Sequence, residues 1–195
     1  MREIVKLFLI VAIFSALAGW ALAAVRDITA DRIELQELIY VRGPAIKTLL
    51  AGSSIDPLTN RFKIDDNGTE RSFFPGEING KKDLVAFEVT AKGSQGDIGV
   101  MVGFNLDKNE VIGMGVTTST ETAGLGSRAK TDASFINQFK GMSIKDEFKV
   151  RQDGGGIDAL SGATITSRGV CAGVSHAIEI YKRLKDKILQ KMQKA

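Results

Sequence analysis

Residues Leu7 to Val25 read LFLIVAIFSALAGWALAAV, 19 positions without a charge. No other feature limits so firmly what this chain can fold into. With the residues just before it, the run from Ile4 to Val25 reaches roughly 33 Å as a helix at about 1.5 Å per residue, against a bilayer core of about 30 Å. Trp20 lies near its far end, where an indole favours the headgroup level. The run predicts an uncleaved anchor over residues 1–25. Ala21-Leu22-Ala23 also resembles a signal-peptide cleavage site, which is the alternative, although the apolar run is longer than a usual signal core. Arg2 and Lys6 precede the span, and Arg26 and Arg32 follow it, so the flanking positive charge is nearly balanced. The reading places the N-terminus in the cytoplasm and the bulk of the chain on the periplasmic or extracellular side of the inner membrane.

What lies beyond the anchor is limited first by what it lacks. A single cysteine, Cys171, and a single histidine, His176, exclude an internal disulfide, an iron–sulfur cluster, a Cys-rich zinc site and a His–His metal motif held by this chain alone. No metal site and no catalytic side chain are expected. The net charge is +3, and no basic cluster with interleaved aromatics appears, so nothing points to nucleic acid.

Helical character continues from Asp27 to Leu50 with a break near Gly43-Pro44. Asp65-Asp66-Asn67-Gly68 predicts a hairpin within 62–82, and Phe73-Phe74-Pro75-Gly76 a strand end and turn whose aromatic pair belongs to the core. Strands over 84–91, 98–106 and 111–118, joined by turns at 93–96 and 107–110, predict an antiparallel meander. A short helix over 132–140 has Thr131 or Asp132 as its cap. Phe148 to Arg151 reads as another short strand. Ser167 reads as the cap of a last helix that buries Val170, Val174, Ala177, Ile178, Tyr181, Leu184 and Ile188. The fold class is α+β: one N-terminal transmembrane helix, then a soluble domain with an antiparallel sheet and flanking helices.

Two stretches carry chemistry. In the loop Ser119 to Gly126, Gly124 and Gly126 let backbone amides approach a ligand, while Glu121 and Thr122 offer an acceptor and a hydroxyl. A plain turn is the competing reading. The second stretch, Asp158 to Ser167, reads DALSGATITS. Ser161, Thr164, Thr166 and Ser167 crowd around Gly162 and Ala163, with no His, Cys or Lys among them to activate a nucleophile. A turn into a helix leaves free amides that favour phosphate, and an accessible threonine there can bind one or be esterified to one. A capping turn with spare hydroxyls is the alternative.

Asp158-Ala159-Leu160-Ser161-Gly162-Ala163-Thr164 resembles the flavinylation sequence Asp-x-x-Ser/Thr-Gly-Ala-Thr. That sequence marks FMN-binding G subunits of Rnf-type, ion-translocating ferredoxin:NAD oxidoreductases and the C subunit of the sodium-pumping NADH:quinone oxidoreductase. In those families the last Thr is joined to FMN through a phosphoester, and it maps onto Thr164. Glu121 to Gly126 resembles their Glu-Thr-Pro-Gly-Leu-Gly loop, with Ala123 in place of the Pro and Ser119 where a His is common. Val150 to Gly155 resembles a segment that precedes the turn in Rnf G subunits, whose length this chain also matches.

The resemblance implies covalent FMN on Thr164, with Glu121, Thr122, Gly124, Leu125, Arg151, Ser161, Gly162, Ala163, Ile165 and Thr166 around the cofactor. It implies a separate flavin transferase, the other membrane and peripheral Rnf subunits and membrane lipid as partners. Asp158 would position the turn or be read by the transferase. The implied organisation is an anchor over 1–25, a helical connector and hairpin region over 26–90, and an FMN-binding domain over 91–195. Two alternatives remain open here: the C subunit of the quinone-linked pump, and an anchored module that holds a phosphate-bearing ligand without a covalent bond.

Overall fold

A computed structural model describes residues 1–194, which fall into two units, Met1–Ile39 and a second from Tyr40 onward. The first unit is helical: α1 spans Arg2–Gln36 and buries none of its side chains. Among the described residues this is the one helix long and apolar enough to cross a membrane.

The helical path loosens into a π turn over Glu37–Arg42 and resumes as α2, Gly43–Leu49. Gly43-Pro44 therefore begins a helix where the sequence suggests a break. Proline is tolerated in a first turn because its missing N–H has no intrahelical partner there. The irregularity falls on the residues just before it.

The second unit is built on five strands: β1 Phe62–Asp66, β2 Thr69–Ile78, β3 Lys81–Lys92, β4 Asp97–Asn105 and β5 Glu110–Ser119. They pair in sequence order, every neighbour antiparallel, as the meander that the turn signals predict. Asn67 and Gly68 both take positive φ (54° and 87°), the geometry of a two-residue hairpin turn.

Phe73 to Gly76 do not end a strand. β2 runs through them, and the turn falls at Asn79-Gly80. The pairing explains why Pro75 fits. β1 reaches only to Phe62 opposite Phe73, so Pro75 pairs with Val85 on one side and has no strand on the other.

The last helix, α4 (Thr164–Lys194), lies against β1, β3 and β4, and α2 lies against β4 and β5. Alternation along β4 separates the two faces. Ile98, Val100, Val102 and Phe104 join the cluster that holds Val170, Val174, Ala177, Ile178, Tyr181, Leu184 and Ile188 of α4. Gly103, of opposite parity, faces the α2 side, where a Cβ would crowd the Ile112 side chain of β5 at 2.7 Å and touch Leu49 of α2 at 3.7 Å. The helix face read from three- and four-residue spacing is buried throughout. A ladder of rings, Phe62, Phe73, Phe87, Phe104 and Tyr181, crosses from β1 to α4 with centroids 4.6–5.8 Å apart. Buried Asp66 anchors the far end, accepting hydrogen bonds from Arg71 and Arg183.

The 132–140 helix is shorter than its sequence suggests: α3 spans only Ala133–Ile136 and tightens into a 3₁₀ turn over Asn137–Phe139. Asp132 is its cap, accepting from the Ser134 amide at 3.1 Å. Phe148 to Arg151 form no strand. Val150 makes one isolated parallel bridge to Ile157, and Arg151–Asp153 turn as a 3₁₀ helix. Gly154 in the left-handed region (φ 84°) reverses the chain there, too soon for a ladder to extend.

Candidate functional site

The turn that carries the four hydroxyls is closed by local hydrogen bonds. The Ala163 amide donates to the Leu160 carbonyl at 3.0 Å, and Gly162 takes φ 78° between them. A residue with positive φ at that place is what glycine supplies without strain. The first helical bond, from Ser167 N–H to the Ala163 carbonyl, follows at once. α4 thus starts at Thr164, earlier than Ser167 as a cap would require.

Ser167 instead works from inside the first turn. Its hydroxyl accepts the Leu160 amide and donates to the Ala163 carbonyl, both at 3.0 Å. This holds the turn from below, so no cap is needed from above. The cap position belongs to Ala163, which has no side-chain acceptor. The amides of Thr164, Ile165 and Thr166, which the helix itself cannot satisfy, are left available.

Burial sorts the four hydroxyls. Thr166 (1% exposed) and Ser167 (0%) are structural, Ser161 is exposed on the turn, and Thr164 is half-buried in a cleft. That cleft, about 460 Å³, is lined by Glu121, Thr122, Leu125, Gly162, Ala163, Thr164, Ile165 and Thr166, all singled out by the sequence motifs. It brings the two motif stretches together across more than 30 residues of intervening chain. Leu125 and Ile165 expose apolar side chains beside the polar floor. Its volume falls in the range of about 300–1,000 Å³ typical of small-ligand sites.

Three of the expected residues do not line it. Ser161 and Gly124 stand beside it in the chain, and Arg151 is occupied elsewhere, its Nε 2.9 Å from Asp158 Oδ1 in an exposed ion pair. Ser94, Gln95 and Gly126 line the cleft as well. Gly126 closes the glycine loop, but Ser94 and Gln95 sit in the β3–β4 turn, and nothing local to them signals a ligand. Only the pairing of β3 with β4 and the position of Glu121 bring them in.

Glu121 ties the walls to each other. Its Oε1 accepts the amides of Ser94 (2.7 Å) and Gln95 (3.0 Å), and its Oε2 accepts the Thr166 hydroxyl at 2.5 Å. Burial opposes its ionisation, but the Thr166 hydroxyl and the two amides outweigh that and hold the carboxyl below the usual glutamate range. It is ionised, fully engaged and unsuited to proton transfer. Glycine is required around it: a Cβ on Gly126 would lie 2.4 Å from Glu121 Oε2 and 2.8 Å from Glu121 Cβ.

A second brace holds the far side of α4. Arg168 makes a fork on Asp153, two hydrogen bonds of 2.7 Å, and so fixes the Arg151–Asp153 turn to the helix start. The arrangement offers a hydroxyl and free amides at a helix N-terminus beside apolar walls, which suits a ligand with an anionic end and an apolar body.

A family model described as an FMN-binding domain matches residues 93–179. The G subunit of an ion-translocating oxidoreductase complex from Vibrio atlanticus is 32% identical over 190 residues, covering 92% of this chain and 90% of the relative. The G subunit of a Na(+)-translocating ferredoxin:NAD(+) oxidoreductase complex from Acetobacterium woodii is 28% identical over 199 residues, covering 94% of each. Among solved structures, the C subunit of a Na(+)-translocating NADH-quinone reductase from Parabacteroides distasonis matches with a TM-score of 0.50 at 23% identity. It covers 63% of this chain and 71% of that one, a likeness of fold.

Proposed function

This chain belongs to the family of G subunits of ion-translocating oxidoreductase complexes, and we propose that it carries its FMN as a phosphoester on Thr164, moored by α1 to the inner membrane. It is an FMN-binding electron-transfer subunit; the covalent bond, the mooring and the placement outside the cytoplasm are our reading. The observation that supports attachment most directly is the alanine at the cap of α4. The first-turn amides of Thr164, Ile165 and Thr166 have no partner within the helix, and these residues line the cleft together with the Thr164 hydroxyl, where a phosphate fits both charge and hydrogen-bond demand.

The residues present fit the group. Thr164, Ile165 and Thr166 would hold the phosphate end. Ser94, Gln95, Thr122 and Leu125 would line the remainder, with Gly162 allowing Leu125 to approach the turn. FMN, when bound, supplies one- or two-electron redox chemistry. The chain's own residues orient it: Glu121 fixes the walls, and Ser167 and the Gly162 turn present Thr164. In attachment, Thr164 Oγ would form the ester bond to the FMN phosphorus of an FAD donor. The pyrophosphate bond breaks, AMP leaves, and the hydroxyl proton passes to the transferase or to solvent. An external enzyme explains why the turn itself carries no His, Cys or Lys to activate Thr164. The chain then works among the other subunits of the complex, with lipid around α1.

The test is the denatured protein from a host that has a matching flavin transferase. Attachment predicts a flavin-fluorescent band in a denaturing gel and a mass increase of one FMN less one water, both lost in Thr164→Ala. Yellow colour released by acid precipitation would instead show a reversibly held ligand.

A further inference from the structure

Gln138 lies outside every segment the sequence motifs mark, yet it holds one of them. Its Oε1 accepts the Asp158 amide at 2.7 Å, and its Nε2 donates to the Asp158 carbonyl at 3.2 Å. One primary amide thereby satisfies both main-chain groups of the residue that opens the Asp158-to-Thr164 turn. It acts as a neighbouring strand would, fixing the backbone and leaving the side chain alone. The carboxylate of Asp158 stays at the surface, 63% exposed, in its pair with Arg151.

The base of the bracket is rigid. Gln138 sits in the 3₁₀ turn next to Phe139, which is fully buried and packs its ring 5.5 Å from Phe135 and 6.4 Å from Phe148. Two residues after Asp158, Leu160 is held by Ser167. Between those clamps and Thr164, only Ser161 and Gly162 are exposed on the turn.

We propose that Gln138 is a positioning residue for the modification of Thr164. It keeps the Asp158-to-Thr164 segment in one preformed conformation for the enzyme that attaches FMN. This rests on the reading that Thr164 carries FMN as an ester. Without Gln138 the entry to the turn samples other conformations, and the transferase meets the competent one only part of the time. Its apparent affinity for the chain falls by that fraction.

The experiment uses the full chain, purified in detergent without flavin, with FAD, Mg²⁺ and a flavin transferase. Initial rates of fluorescent labelling are measured as the chain concentration is varied. Gln138→Leu keeps the bulk and removes both hydrogen bonds. It is expected to raise KM roughly fivefold to tenfold with kcat little changed. Amide exchange at Asp158 should accelerate, while exchange at Val174 in the core stays as in the wild type. General destabilisation would move both amides together. Should the leucine variant fail to fold, Gln138→Glu, which retains only the acceptor, is measured instead, with the same directions expected. An unchanged KM, or unchanged exchange at Asp158, overturns the proposal. A wild-type chain that takes up no FMN overturns the attachment reading and this proposal with it. A wild type labelled at Thr164 beside an equally labelled variant overturns the proposal alone.

Discussion

Replacing Glu121 tests whether the cleft is held together from within. In Glu121→Ala the Thr166 hydroxyl, 1% exposed, loses its acceptor. An unsatisfied buried hydroxyl costs about 1–3 kcal/mol. The Ser94 and Gln95 amides lie in an exposed turn where solvent can take over, so each adds only about 0.5 kcal/mol. The sum is about 2–4 kcal/mol, or a fall in Tm of about 5–15 °C for a chain of this size. Glu121→Gln keeps the shape: the amide oxygen accepts from the turn and the NH₂ donates to Thr166, so the loss is about 1 kcal/mol from the missing charge.

The sign with pH follows from the direction of the shift. The folded pKa lies below the ordinary 4.5, so the ionised carboxylate's contribution is complete above that value. It disappears as pH falls through the folded pKa. The gap in Tm between wild type and Glu121→Gln should therefore be constant near neutrality and narrow below pH 4.5. Thermal unfolding followed by circular dichroism from pH 7 to pH 3 measures both. An alanine variant melting within about 1 °C of wild type, or a gap that stays flat into acid, would refute the idea that Glu121 braces the site.

Two further outcomes are expected of the scaffold. A Cβ on Gly169 would sit 2.2 Å from the Lys92 carbonyl oxygen, so Gly169→Ala should force α4 away from β3 and lower the urea midpoint, a loss of about 1–3 kcal/mol. Burial, and then the charge of Asp153, push the Cys171 thiol up to about 12. At pH 8 the native thiol should react with iodoacetamide on the order of a thousandfold more slowly than a free thiol, and urea should restore the rate, as read by intact mass.

The sheet is legible in the sequence because its signals are local. Asn67-Gly68, the 93–96 turn and the alternating apolar residues between them each specify a neighbour, and a meander needs no long-range choice. The hidden features depend on partners distant in sequence. Pro75 looks like a strand end because nothing nearby tells that β1 stops at Phe62. Ser167 looks like a cap because serine before an apolar run usually is one, and only its bond to Leu160 reveals the inward role. Nine residues from two motif stretches do meet in one cleft, but the third wall, Ser94 and Gln95, comes from a turn of ordinary composition. Gln138 is silent for the same reason: a glutamine in a short helix shows no sign of the main chain it will hold 20 residues later.

The four hydroxyls that make the turn conspicuous divide into two kinds of work, and that division explains the alanine among them. Thr166 and Ser167 face inward, one to Glu121 and one to Leu160, and they hold the turn whether or not a ligand is present. A serine at position 163 would have capped α4 and put its oxygen where the first-turn amides look for an acceptor. Ala163 packs into the core instead, 6% exposed, and leaves that demand unmet. The omission sacrifices about 1 kcal/mol of helix stability in the empty chain. A phosphate bound at Thr164 would supply a stronger acceptor in the same place. If the turn takes a phosphate there, the bound form should be the more stable one.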